Sequence, residues 1–68
     1  MATYYFGDIE FGDFMKSSGD YYPVALMHRV DEVRDFDTDQ EADNYCMDQG
    51  YAAYLDTQSK MEIYFKGQ

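Results

Sequence analysis

One segment, residues 36–50, carries a complete set of helix signals and constrains the fold more than any other stretch. Thr38 is followed three residues later by Glu41, the pattern of a capping box, in which the hydroxyl accepts from a first-turn N–H and the glutamate reaches back to the cap. The acids on either side of Thr38 place negative charge where the helix macrodipole is positive. Gly50 can adopt the left-handed conformation that ends a helix. This segment therefore predicts a helix of about three turns.

The side chains of this helix divide into two faces. Positions i, i+3, i+4 and i+7 form the predicted inward stripe, which consists of Ala42, Tyr45, Cys46 and Gln49. The opposite side carries Gln40, Asp43, Asn44, Met47 and Asp48. Because the inward stripe must be buried against something, the helix predicts a second layer.

Most of the remaining chain alternates apolar and polar residues, as strands do. The first such run is residues 2–11, with Gly7 expected at a bulge. The second begins at Tyr21 or Tyr22 and ends at Val30, and Pro23 is expected at its start or at a sheet edge. A third strand over residues 33–36 is predicted to follow a tight turn, although one long bent strand fits almost as well.

After the helix, residues 51–55 and 61–65 are predicted to pair as a hairpin. The order β-β-β-α-β-β predicts an α+β fold, a four- or five-stranded mainly antiparallel sheet with one helix packed on one face. The 68 residues make one small acidic domain. One helix covers one face only, so several aromatic side chains are expected to keep partial contact with water: Tyr4, Phe6, Tyr21, Tyr54 and Tyr64.

Composition excludes several classes of protein. A net charge of −9 raises the question of disorder, but eight Tyr and five Phe in alternating runs favour a folded sheet. One cysteine and one histidine exclude an internal disulfide and a four-ligand zinc site. The acids spaced one apart from Asp35 suggest a calcium loop, but Gln40 and Cys46 occupy the positions of its turn glycine and its bidentate glutamate. We expect no metal and no cofactor.

No pattern indicates catalysis. His28 and Cys46 could pair as base and nucleophile, but a half-buried strand histidine and a small core cysteine explain them better. The sequence has no glycine-rich phosphate loop and no nucleophile elbow. We therefore expect no enzyme activity. Residues 2–11 include Asp8 and Glu10, and no run approaches the ~20 apolar residues of a membrane span; the expected location is cytoplasmic.

Carboxylates are concentrated in one part of the chain. Eight of the fourteen lie within eighteen residues that contain a single base, Arg34: Asp31, Glu32, Asp35, Asp37, Asp39, Glu41, Asp43 and Asp48. Asp39 and Asp43 are one turn apart, roughly 6 Å along a helix axis. Acidic faces often serve only solubility, but a row of carboxylates also resembles the phosphates of a duplex and can occupy a basic groove.

In size, acidity and single-domain α+β layout, the chain resembles small phage-encoded inhibitors that mimic nucleic acid, such as anti-CRISPR proteins, anti-restriction proteins and inhibitors of uracil-DNA glycosylase. The resemblance covers the whole chain and rests on composition, so it carries over no residue's role. It implies a stoichiometric inhibitor of a bacterial defence or host enzyme that binds DNA or RNA, acting without a cofactor.

The leading hypothesis is that residues 31–48 form a partner-binding acidic strip, with Met47 and nearby tyrosines as apolar anchors. The expected partner is a basic nucleic-acid-binding protein such as a nuclease, a CRISPR effector, a restriction enzyme or a polymerase, rather than nucleic acid or a membrane. An alternative is a small homo-oligomer, such as a homodimer, that uses a tyrosine-rich sheet face for self-association or for binding a nucleotide. A third hypothesis is an accessory subunit that modulates a host polymerase.

Overall fold

The computed structural model describes residues 1–66 and contains one helix and a four-stranded mixed sheet. The elements follow one another as β1 (Ala2–Met15), β2 (Tyr21–Phe36), α1 (Asp39–Gln49), β3 (Ala53–Asp56) and β4 (Glu62–Phe65). The strand order is β3-β1-β2-β4; β1 is antiparallel to β2 and β3, and β4 is parallel to β2. The predicted α+β class, with a mainly antiparallel sheet and a single helix, is confirmed.

A long ribbon of β1 and β2 forms the centre of the sheet. The prediction of two separate strands between residues 22 and 36 is wrong, because β2 continues through Asp31 and Glu32 as a single strand. This is the one-strand alternative that the sequence also allowed. The pairing with β1 shifts register twice along this stretch, so β2 absorbs extra residues as bulges. In the sequence, a bulge interrupts the alternation of apolar and polar residues as a turn does, so this stretch was predicted as two strands.

Gly7 lies at the first of these register shifts, as predicted. A Cβ atom built on Gly7 would lie 2.2 Å from the Arg29 carbonyl oxygen and 3.0 Å from the Asp31 backbone nitrogen. Both obstacles are backbone atoms, which cannot move aside without breaking the ladder. The bulge therefore requires glycine at this position.

The predicted hairpin after the helix is wrong. Both strands exist, but they lie on opposite edges of the sheet, β3 beside β1 and β4 beside β2. The alternation of apolar and polar residues predicts that a segment is a strand, but it does not indicate which edge of the sheet the strand joins. The connection between them begins with Thr57, whose N–H and hydroxyl both donate to the Thr3 carbonyl, at 3.0 and 2.9 Å.

The first hydrophobic cluster lies between α1 and one face of the sheet, which we call the helix face. Tyr4, Phe6, Ala42 and Cys46 are its buried members. The expectation that Tyr4 and Phe6 contact water is wrong, since their exposed fractions are 1% and 0%. Because α1 packs over this part of β1, the rings of Tyr4 and Phe6 are buried between the helix and the sheet.

A second cluster, Ile9, Ala25, Met27 and Leu55, lies on the opposite face. Met61 packs against it, so the segment that links β3 to β4 covers this face where the helix cannot. The protein thus has two small cores on the two sides of one sheet. The helix and the linking segment each bury one of them.

Both ends of α1 lie where they were predicted, but among residues 1–66 only one half of the predicted capping box forms, since the Glu41 carboxylate makes no hydrogen bond back to Thr38. The Glu41 N–H donates to the Thr38 hydroxyl oxygen at 3.3 Å, and Gly50 has φ 74° and ψ 25°. Ala42 and Cys46 are buried and Tyr45 is half-buried, as the inward stripe requires. Gln49, predicted in that stripe, is exposed instead; it is the last residue of α1, directly before the left-handed Gly50 that ends the helix.

Candidate interaction surfaces

The predicted acidic strip is divided by the fold into three groups of different character. Asp31 and Glu32 lie in β2 and are each held by an arginine, Asp35 is directed away from the helix, and the remaining acids surround α1.

Asp31 forms an ion pair with Arg29, with Nε to Oδ1 at 2.8 Å and a second contact, Nη2 to Oδ2, at 3.2 Å. The hydrogen bond to the Asp31 carboxylate raises the pKa of the Arg29 guanidinium above its ordinary value. This charge is therefore compensated locally. Asp31 contributes less to an acidic surface than its place in the sequence suggests.

Glu32 is the most heavily bonded carboxylate of the predicted strip. It accepts hydrogen bonds from the hydroxyls of Tyr45 at 2.5 Å and Tyr51 at 2.6 Å, and from Arg34 Nε. The two phenol donors, with Arg34 adding to their effect, hold the Glu32 pKa below its usual range. The hydrogen bond between Tyr45 and Glu32 raises the pKa of Tyr45. The hydrogen bond between Tyr51 and Glu32 raises the pKa of Tyr51 to about 12. Glu32 thus joins α1 and Tyr51 to the sheet.

Asp35 lies opposite Thr3 in the β1–β2 ladder. Its carboxylate accepts from the Thr3 hydroxyl at 2.6 Å. Thr3 alternates with Tyr4 along β1 and so lies on the face opposite the helix. Asp35 therefore does not belong to the same surface as the helix acids, contrary to the single strip that was predicted.

The third group, which we call the acidic helix surface, comprises Asp37, Asp39, Glu41, Asp43, Met47 and Asp48. All are exposed except Asp43, which is half-buried. Asp39 accepts a hydrogen bond from the Tyr4 hydroxyl at 2.5 Å. Within residues 1–66 the other four acids have no side-chain hydrogen bond or ion pair, and residues 37–48 contain no Lys, Arg or His. Their charge is uncompensated and faces water.

The helical repeat places these acids on two flanks. At 100° per residue, Asp39 and Asp43 fall on one side of the outer face and Glu41 and Asp48 on the other. Met47 lies between the flanks and is 73% exposed. An apolar side chain between two rows of carboxylates has the layout of an interface centre with a charged rim.

The predicted aromatic surface is only partly present. Tyr21 and Tyr64 are exposed, whereas Tyr54 is half-buried and packs against the first cluster. Burial raises the Tyr54 pKa, and Asp43 and Asp39 add to the effect. The aromatic residues of the predicted surface therefore lie at opposite ends of the sheet and form no continuous face.

Exposed apolar residues that the sequence reading missed lie at the free end of the ribbon. Phe11, Phe14 and Met15 are 49%, 53% and 63% exposed, and the Phe14 ring meets the Tyr22 ring edge-on with centroids 6.4 Å apart. The apolar–polar alternation of β1 breaks at Gly12 and Asp13, so it gave no signal that the strand continues to Met15. The turn residues that flank Phe14 and Met15 concealed this continuation.

His28 and Cys46 are not brought together. His28 contacts the Glu10 carboxylate at 3.0 Å in the ribbon, whereas Cys46 is buried beneath α1, where desolvation raises its thiol pKa. Among the described residues no cluster of three or more His, Cys, Asp or Glu side chains could hold a metal ion. Within the same residues, no helix has the length and apolar character needed to cross a membrane.

Comparison with known proteins finds no matching family, no matching curated protein and no matching solved structure.

Proposed function

We propose that this protein is an interaction module of the phage-inhibitor type, which presents the acidic helix surface to the nucleic-acid-binding groove of a bacterial defence or host enzyme. The observation that carries the proposal is the set of acids around α1 with no base between residues 37 and 48. A groove that binds nucleic acid presents lysines and arginines to phosphates. Carboxylates on a rigid helix are complementary to such a groove and attract it over long distances.

We assign the proposed contact to the acidic helix surface. The proposed contact surface is Asp37, Asp39, Glu41, Asp43, Met47 and Asp48, whereas Asp31 and Glu32 act mainly within the protein through their arginines and tyrosines. The proposal involves no catalysis and no cofactor. Inhibition follows from occupation of the groove.

The test is a pair of charge reversals in the acidic helix surface. Asp43→Lys with Asp48→Lys changes two acids that have no side-chain bonds within residues 1–66, and a lysine in the last turn of a helix is favourable. The matched control is Asp20→Lys with Glu62→Lys, an equal charge change on exposed residues distant from α1.

Each protein is used to capture partners from bacterial lysate at low and high salt, followed by mass spectrometry and by competition with duplex DNA or RNA. The proposal expects the unaltered protein to capture a nucleic-acid-binding protein that high salt releases and duplex displaces. The control variant should still capture this partner, whereas the helix variant should not. Equal capture by the helix variant and the control would refute the proposal.

A second candidate function, self-association, is supported by the exposed Phe11, Met15 and Tyr21 at the end of the ribbon. Light scattering at increasing protein concentration tests it. A dimer that Tyr21→Ser dissociates, while the helix charge reversal does not, would favour this second function.

A further inference from the structure

The outer edge of β1 is open over half of the strand. Strand β3 pairs with β1 only from Tyr4 to Gly7, whereas β2 pairs along the other side up to Met15. Among the described residues, no strand lies on the outer side of β1 from Asp8 to Met15. The open edge begins two residues beyond Phe6, which lies beneath the helix, and its far end at Phe14 is about eight strand residues, roughly 25 Å, from Phe6.

The pairing with β2 determines which backbone groups point outward. The Lys16 N–H donates to the Asp20 carbonyl at 2.6 Å, and the register runs without a shift from Ile9 to Met15. In an antiparallel pair, every second residue bonds to the partner strand and the residues between them direct N–H and C=O to the other side. The residues with outward groups are Ile9, Phe11, Asp13 and Met15.

The side chains along this edge are apolar and acidic. Residues 1–15 contain no Lys or Arg, and Asp8, Glu10 and Asp13 lie on the edge itself. Strand alternation places Asp8 and Glu10 on the helix face, and Ile9 and Phe11 on the opposite face next to the second core. Beyond Gly12 this division ends, because Asp13 falls on the face of Phe11 and Phe14 on the face of Glu10. Over Asp8 to Phe11, an added strand would thus meet acids on one face and apolar side chains on the other.

We propose that the open edge of β1 binds an extended segment of a partner protein in which basic and apolar residues alternate, added to the sheet as a further strand. The outward N–H and C=O groups supply affinity, and the two faces select the alternation, as in other cases of strand addition. Lys or Arg of the segment faces Asp8 and Glu10, while its apolar residues cover Ile9 and Phe11. This inference does not depend on the function proposed for the acidic helix surface.

Charge favours such a segment over a second copy of this chain. Each copy carries a net charge of −9, and an edge with three acids and no base repels the same edge of another molecule. Acidic residues on an exposed edge also deter aggregation through that edge. A strand that carries Lys or Arg is instead attracted to this acidic edge.

The test uses a capped peptide of about nine residues in which Lys and Val alternate. A peptide of the same composition, with its Lys and Val in two separate blocks, is the control. Amide NMR and hydrogen exchange are followed in the full chain. The proposal expects the alternating peptide to slow exchange of the Ile9, Phe11, Asp13 and Met15 amides, while the block peptide does not.

Asp13→Pro tests the role of the outward N–H groups. Asp13→Ala is its control, because it removes the same charge but keeps the backbone N–H. Proline removes one outward N–H and spares the β2 ladder. We expect the peptide to bind Asp13→Pro about tenfold more weakly than Asp13→Ala.

Three results would overturn the proposal: equal binding by the two variants, peptide-induced changes confined to α1, or protection of the edge amides that grows with protein concentration alone, which would identify a second copy as the occupant. The exchange measurement on the unaltered chain decides the question even if Asp13→Pro fails to fold. None of these results depends on the lysate capture with the helix variant, so the two proposals fail separately.

Discussion

The Tyr4 hydroxyl donates a hydrogen bond to the Asp39 carboxylate at 2.5 Å, across 35 positions of sequence. Tyr4 lies in the buried floor of the first core, and Asp39 begins α1. The bond therefore attaches the first turn of the acidic helix to the centre of the sheet. It also gives one acid of the proposed contact surface a structural role.

Tyr4→Phe should cost about 1 kcal/mol of unfolding free energy, since it removes this hydrogen bond and keeps the ring. Urea denaturation at neutral pH measures the loss. The control is Tyr21→Phe, whose ring is 70% exposed and which should change stability by no more than about 0.5 kcal/mol. Equal effects of the two substitutions would show that the bond to Asp39 contributes nothing.

Stability should fall at alkaline pH. The bond to Asp39, with burial, raises the pKa of Tyr4 to about 12, and the bond to Glu32 raises that of Tyr51 to about 12. In the unfolded chain both phenols titrate near 10, so the folded state holds these protons more tightly. Their contribution is complete below about pH 10 and is lost as the pH rises toward 12. The measurement is urea unfolding across this range, and the loss should be smaller in a Tyr4→Phe, Tyr51→Phe double variant.

Stability should also fall at acidic pH because of Glu32. Its pKa is lowered by the hydrogen bonds from Tyr45 and Tyr51, with a smaller effect of Arg34. An unfolded glutamate titrates near 4.3, so the contribution of Glu32 is present above that value and is lost as the pH falls through the lower folded-state pKa. Glu32→Gln should be less stable than the unaltered chain at pH ~7, and the gap should narrow at pH ~3. A gap of the same size at both pH values would contradict this account; Glu41→Gln, at an exposed side chain, is the control.

Gly7→Ala should be strongly destabilising, because its methyl group would meet the Arg29 carbonyl oxygen. We expect a loss of more than about 1 kcal/mol, since the native backbone cannot accept the new side chain. Gly12→Ala is the matched control in the same strand, where a Cβ has no neighbour within 4 Å; it should be neutral or stabilising by up to about 1 kcal/mol. Thermal unfolding of the two variants makes the comparison.

Phe6→Ala tests the first core. Phe6 has no exposed surface, and its ring packs against those of Phe36, Tyr45, Tyr51 and Tyr54. Truncation should cost about 3–5 kcal/mol, a large share of the stability available to a chain this small. Phe14→Ala, at the exposed end of the ribbon, should cost far less. Urea denaturation at neutral pH compares them.

Local sequence determined the elements of this protein well. Thr38 and Gly50 specify the ends of α1 through their own hydrogen-bonding and backbone preferences, and alternation identified β1 and the bulge at Gly7. These features depend on neighbours within a few residues, which a linear reading contains. The same locality explains why the acids between residues 31 and 48 were predicted as a single strip, which the fold then divides.

Only the tertiary structure decided how those elements combine. Residues 53–56 and 62–65 show the same alternation whether they pair with each other or join opposite edges, and the second arrangement occurs, with Met61 over the second core. Tyr4 and Phe6 are buried because α1 crosses that end of β1, and Asp35 leaves the acidic strip because its partner Thr3 lies on the other face. Each outcome depends on contacts between residues far apart in sequence. Short-range pattern carries no information about which of those contacts buries more apolar surface.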